Sequence, residues 1–204
     1  RERLSVQGAR VSRPFLSSDG RHTAAGWKAT QFIPGQVRGR IDETAQMALR
    51  LDTAMAEVAL PTGQRDDVFA RAERAAWGET GEAYRPALLA DVPLIPAHTA
   101  LLTTTVYHGA NPPGIVDIVP SEFPRPAGWS AALVIVDGLI AQAVDDEICQ
   151  RFSHVPGMQE LLLRAVSYRR HINDLHPASR SNARSHIERV EQYLVSRASA
   201  ILER

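Results

Sequence analysis

Nine residues near the C-terminus, His176-Pro177-Ala178-Ser179-Arg180-Ser181-Asn182-Ala183-Arg184, put an imidazole, a carboxamide and two guanidinium groups on one short connection. An imidazole titrates near neutrality and can take the proton of a hydroxyl nucleophile. The first amides of a helix have no intrahelical acceptor, so they bind phosphate oxygens. An arginine fork beside them adds charge and two parallel donors. These parts together suit transfer of a phosphoryl or nucleotidyl group to a hydroxyl. They do so only if the connection closes one helix and opens the next.

The flanking patterns meet that condition. Met158, Leu161, Leu162, Ala165, Val166 and Ile172 share one face of a helix running to about Asp174. Pro177 disfavours helical geometry at His176 and stops that helix. A last helix is predicted from about Asn182 to Ile201, with Ile187, Val190, Leu194 and Ile201 on one side.

Upstream, Ile41, Ala45, Ala48, Leu51, Met55 and Val58 predict a helix over 41–59, with Asp42 and Glu43 in its first turn. A second helix is expected over 66–77 and a short one over 83–90. The stretch 101–106 fits either a strand or a buried helix. Residues 115–119 alternate like a strand, and Pro120, Pro124 and Pro126 then bar regular structure. The apolar positions of 130–152 suit either a buried strand followed by a helix or one long helix, and the length and the acidic close, Asp145-Asp146-Glu147, favour the helix. Residues 1–31 are rich in Arg, Ser, Gly and Thr with little periodicity, and read as an extended or poorly ordered arm. The expected fold is therefore mainly α, one helical domain over 32–204 with a short β-hairpin or extended flap.

A length of 204 residues allows one sizeable core, and 44% hydrophobic with 23% charged residues is an ordinary globular composition. Basic and acidic residues number 23 each, which argues against a surface built for nucleic acid or anionic membrane. Cys149 stands alone, so an internal disulfide is excluded, and its apolar neighbours Ile148 and Phe152 suggest a buried structural thiol. An N-terminus without an apolar segment, and no long uncharged stretch, lead to the expectation of a cytoplasmic protein, or of an effector delivered without a classical signal. Homo-oligomerisation is left open.

The central stretch resembles the signature of the Fic (filamentation induced by cAMP) family, His-Pro-Phe-x-Asp/Glu-Gly-Asn-Gly-Arg-x-x-Arg. The matching residues are His176, Pro177, Asn182 and Arg184. Ala178 replaces the phenylalanine, Arg180 the acid, Ser181 and Ala183 the two glycines, and Ile187 the final arginine. The preceding segment, Ala165 to Leu175, is similar to the helix that leads into the family motif. The segment from Phe32-Ile33-Pro34 to Leu60-Pro61 is similar to the N-terminal part of many members. The resemblance covers about residues 32–204.

It implies a Fic-like helical bundle that transfers AMP from ATP, or another nucleotide, to a protein hydroxyl. His176 would be the base. Arg180, Asn182 and Arg184 would contact phosphate, with the amides of Ser181, Asn182 and Ala183 as the anion hole. The family's Mg²⁺ is put in question because Arg180 stands where the acid holds it. A target protein would dock near residues 115–124. Glu79 is the nearest candidate by context for the family's inhibitory glutamate, and Glu57 by spacing.

Two other readings share these residues. One is a Fic-like module that binds a nucleotide or partner without catalysis. The other is a helical ribonuclease of the HEPN class, for which Arg180 and His186 have the right spacing. His176-Pro177 is also a plain helix stop, with Ser179 or Ser181 capping the next helix.

Overall fold

A helix that is apolar on every side has no face to give to water. Helix α4, Trp129–Ile140, is of that kind, and the core is built around it. The structure, a computed structural model, describes residues 2–59, 64–179 and 181–202, with Asn182, Ile201 and Leu202 described by backbone alone. Helix α1, Ile41–Met55, crosses α4 closely enough that a Cβ on Gly138 would lie 2.7 Å from Ile41. Helix α6, Met158–Leu175, packs on α4 from another side, and α7, Ser181–Leu202, lies along both. Helix α2, Val68–Gly78, starts at Asp67, whose carboxylate accepts the Ala70 N–H at 2.9 Å, and packs against α6. Trp77, Trp129 and Tyr168 pack between α2, α4 and α6, Trp77 edge-on to Trp129 and Trp129 tilted against Tyr168, with ring centroids 5.1 and 6.2 Å apart. The fold is mainly helical, with small sheets at its edge.

Four short strands form the main sheet: β1 (Arg10–Val11), β4 (Gln36–Val37), β6 (Thr105–Tyr107) and β7 (Gly114–Ile115). Their order is β1-β7-β6-β4, with β1 parallel to β7 and the other pairs antiparallel. Two further pairs are β2 (Pro14–Phe15) with β3 (Ala29–Thr30), and β5 (Leu94–Ile95) with β8 (Arg125–Pro126). The N-terminal arm is extended, and it is fastened to the domain through β1, Leu4 and Val6, the last two buried in the core.

Three elements differ from the periodicity reading. The ambiguous 101–106 stretch is both alternatives in succession: a helical turn α3, Leu101–Thr104, runs straight into β6. The hydroxyls of Thr104 and Thr105 donate back to the carbonyls of Ala100 and Leu101, a local pairing that competes with further helix. The long helix over 130–152 is two: α4 ends at Ile140, Gln142 takes φ +55°, and a short α5 spans Ile148–Arg151. Arg189 of α7 donates to the Leu139 carbonyl at 2.7 Å, satisfying an acceptor at the exposed helix end. Of residues 115–119 only Ile115 lies in a strand, following Gly114 in β7; further on, Val119 accepts from Thr99 at 2.9 Å and Ser121 donates to Ala97 at 2.8 Å. Among the described residues no helix is long and apolar enough to cross a membrane.

Candidate functional site

Helix α6 ends at Leu175, and His176 is extended, with φ −81° and ψ 124°, as the following proline requires. Its amide closes the helix onto Ile172 at 2.9 Å, and its carbonyl accepts the Ser179 N–H at 3.0 Å. The Ala178 N–H donates to His176 Nδ1 at 3.1 Å. In the neutral ring the Nδ1 lone pair is therefore occupied and Nε2 carries the hydrogen. Phe69 of α2 flanks the ring, 6.4 Å between centroids. His176 lines a cavity of about 340 Å³ with Asn173, Ala178, Ser179, Ala183 and Ile187. On its far wall Arg169 grips Asp137 at 2.6 and 2.7 Å and donates to the Thr99 carbonyl at 3.2 Å. Burial works against the Arg169 charge, but the Asp137 carboxylate more than offsets it and holds the guanidinium above its ordinary range.

The remaining residues of the stretch are only partly gathered there. Ala183 lines the cavity and Ser181 opens α7. Arg184 turns back onto the end of α6 and pairs with Asp174 at 2.8 Å, both side chains exposed. Arg180 lies outside the described residues, and of Asn182 the helical backbone alone is described. His186 is exposed on the first turns of α7. Among the described residues, no group of three His, Cys, Asp or Glu side chains is close enough to hold a metal ion.

Glu79 is held elsewhere. It follows α2 and accepts bonds from Tyr84 at 2.6 Å, His171 at 2.7 Å and Arg170, which also reaches Glu191 of α7 at 3.1 Å. Burial pushes its carboxyl up, yet the bonds from Tyr84 and His171 and the charge of Arg170 prevail and bring it to about 2. Glu79 thus ties α2 to α6, whereas Arg184 is engaged by Asp174. Glu57 is exposed beyond the end of α1.

A second polar centre lies away from the His176 stretch, around Asp52. Asp52, buried on α1, accepts the Gly128 N–H at 2.7 Å and the Ser130 hydroxyl at 2.6 Å, so it caps α4 from another helix. Gly128 takes φ +98° there, with Val155 2.9 Å from where a Cβ would be, so glycine is required on both counts. Ser130 in turn accepts the His98 N–H at 2.9 Å. Burial pushes the Asp52 carboxyl up to about 6, against the lowering effect of its two bonds. Burial likewise lowers His98 to about 4; its Nδ1 accepts from Ala100 N–H and its Nε2 lies 2.9 Å from the Asp117 carbonyl. One signal was available: Asp52 stands four residues after Ala48 and seven after Ala45, a carboxylate on the apolar stripe of its helix. Cys149 is buried, as its neighbours suggested.

No protein-family model matches the chain, and no curated protein matches it.

Proposed function

We propose that the α6–α7 mouth is a binding site for a phosphate-bearing ligand of nucleotide type, in a Fic-like domain that holds the ligand without transferring AMP. The observation that carries this reading is the Ala178 N–H on His176 Nδ1. A general base needs a free lone pair, and with Nδ1 engaged by Ala178 the neutral ring carries its hydrogen on Nε2 and offers a donor instead. A donor at that point suits an acceptor-rich ligand such as a phosphate. Arg184 supports the same reading, because its pair with Asp174 is exposed and weak, at most about 1 kcal/mol, and yields readily to a phosphate. A cavity of about 340 Å³ falls at the small end of ligand sites, which run from about 300 to 1,000 Å³.

AMP transfer is the second reading, supported by the same histidine standing beside the first turn of α7. Labelled ATP and cell lysate separate the two. Binding without transfer predicts that ATP raises the melting temperature of the parent, that the shift shrinks in Arg184→Ala, and that no label reaches protein. Label incorporation that disappears in His176→Ala would replace this reading with the catalytic one. RNA cleavage that disappears in His186→Ala would replace both with the ribonuclease.

A further inference from the structure

The cavity beside His176 is not the only concavity with a largely apolar lining among the described residues. A cavity of about 730 Å³ lies between α1, residues 87–95 and residues 154–156. Leu49, Val92, Pro93, Ile95, Val155 and Pro156 supply its apolar walls. That volume is within the range that encloses a small organic molecule.

Its polar side chains all offer the same thing. Asp52 and Asp91 bring carboxylates. Thr53 donates its hydroxyl hydrogen to the Leu49 carbonyl at 3.2 Å, which leaves only its lone pairs. His154 Nδ1 lies 3.1 Å from the Arg151 carbonyl, which can only accept, so Nδ1 carries the hydrogen and Nε2 is a free acceptor in the neutral ring. No Lys, Arg, Asn or Gln stands among the described lining residues. A ligand here must supply donors.

Asp52 gives a second, independent reason. The other deeply buried carboxylates each face arginine: Glu73 meets Arg125 at 2.6 Å, Glu160 meets Arg164 at 2.8 Å, and Glu122 meets Arg74 at 3.2 Å. Asp52 is 3% exposed, and its partners among the described residues are two neutral donors. A buried carboxylate is stabilised in its charged form by hydrogen-bond donors and, more strongly, by a neighbouring cation, and Asp52 has only the donors among the described residues. The one without an arginine among the described residues is the one on the wall of this cavity. From this juxtaposition we infer that the cavity binds a small organic ammonium ion on an apolar body, an arylalkyl amine or its like. The ammonium occupies the place that arginine takes at the other three carboxylates, and the apolar body fills the space between Leu49, Ile95 and Val155.

The test is titration calorimetry on the whole chain at pH 7.5 with benzylamine, phenethylamine and tryptamine. Tryptophol and indole-3-acetate serve as the neutral and anionic counterparts of tryptamine. At least one amine is expected to bind saturably, and tryptophol at least tenfold more weakly than tryptamine, with no heat from the acetate. Ala56→Trp, at an exposed lining position, should abolish binding while the circular dichroism stays that of the parent; Asp91→Asn, also exposed, should weaken it several-fold. The inference is overturned if none of the three amines saturates, if the alcohol binds as tightly as the amine, or if both variants bind like the parent. In each of those cases Asp52 is a helix cap and nothing more. Because the ATP experiment addresses the α6–α7 mouth, either result leaves the other standing.

Discussion

Asp52 and Glu79 each fasten two helices with a carboxylate, and they are solvated in opposite ways. Asp52 sits in the core among the Gly128 amide and the Ser130 hydroxyl, and desolvation wins: its carboxyl rises to about 6. Glu79 is only partly buried, among Tyr84, Arg170 and His171, and the opposing bonds and charge win: its carboxyl falls to about 2. At Asp52 two hydrogen bonds from neutral groups do not offset the burial, whereas at Glu79 bonds and a neighbouring guanidinium together do.

The largest effect that would test this contrast is Asp52→Ala. It strands the Gly128 amide and the Ser130 hydroxyl in the core and should cost on the order of 3 kcal/mol in urea unfolding at pH 7. A loss below about 1 kcal/mol would mean that water reaches those donors through the cavity.

The next effect is on pH dependence. Asp52 has a folded value above its unfolded 3.8, so folding takes up a proton, and stability falls as pH rises from about 4 to 6. His98 has a folded value near 4 against 6.5, so its contribution is lost as pH falls through that window. The two oppose one another between pH 4 and 6, and the parent should be nearly flat there. Asp52→Asn removes the first, and its unfolding free energy should drop toward acid, by on the order of 2 kcal/mol from pH 6.5 to 4. A profile as flat as the parent's would break the assignment.

Glu79→Gln is expected to be milder, about 1 kcal/mol at pH 7, because its partners are partly exposed to water. The folded value lies below the unfolded 4.5, so the stabilisation is complete above pH 4.5 and disappears as pH falls toward 2. The variant should therefore lose less stability than the parent between pH 4.5 and 2, as read by thermal melts at successive pH values. Arg184→Ala sharpens the lower end of the scale: removing one partner of an exposed pair should change stability by less than about 0.5 kcal/mol.

Much of the helical frame was legible in residue order. The apolar spacing of α1 and α6 and the proline at 177 located both helices and the break before α7 within a few residues, because local periodicity and a missing N–H act over a few positions. The split at Gln142 was not legible, because the helix end there is satisfied by Arg189, some fifty residues on. At the α6–α7 stretch, residue types suggested a base and a phosphate clamp. The structure adds that the Ala178 amide engages His176 Nδ1 within the stretch and that Arg184 pairs with Asp174 outside it, contacts that residue types alone do not state.

By itself, then, the sequence determined that a mainly helical chain would set His176 at a helix exit, since both facts depend on neighbours within a turn or two. Only the tertiary structure decided which charges are neutralised. Asp52 meets Gly128 and Ser130 across more than seventy residues, and Glu73 and Glu122 find arginines about fifty residues away, while Asp52 finds none among the described residues. A carboxylate's state depends on the water it loses and the partners it gains, and both are settled by which surfaces come together when the helices pack.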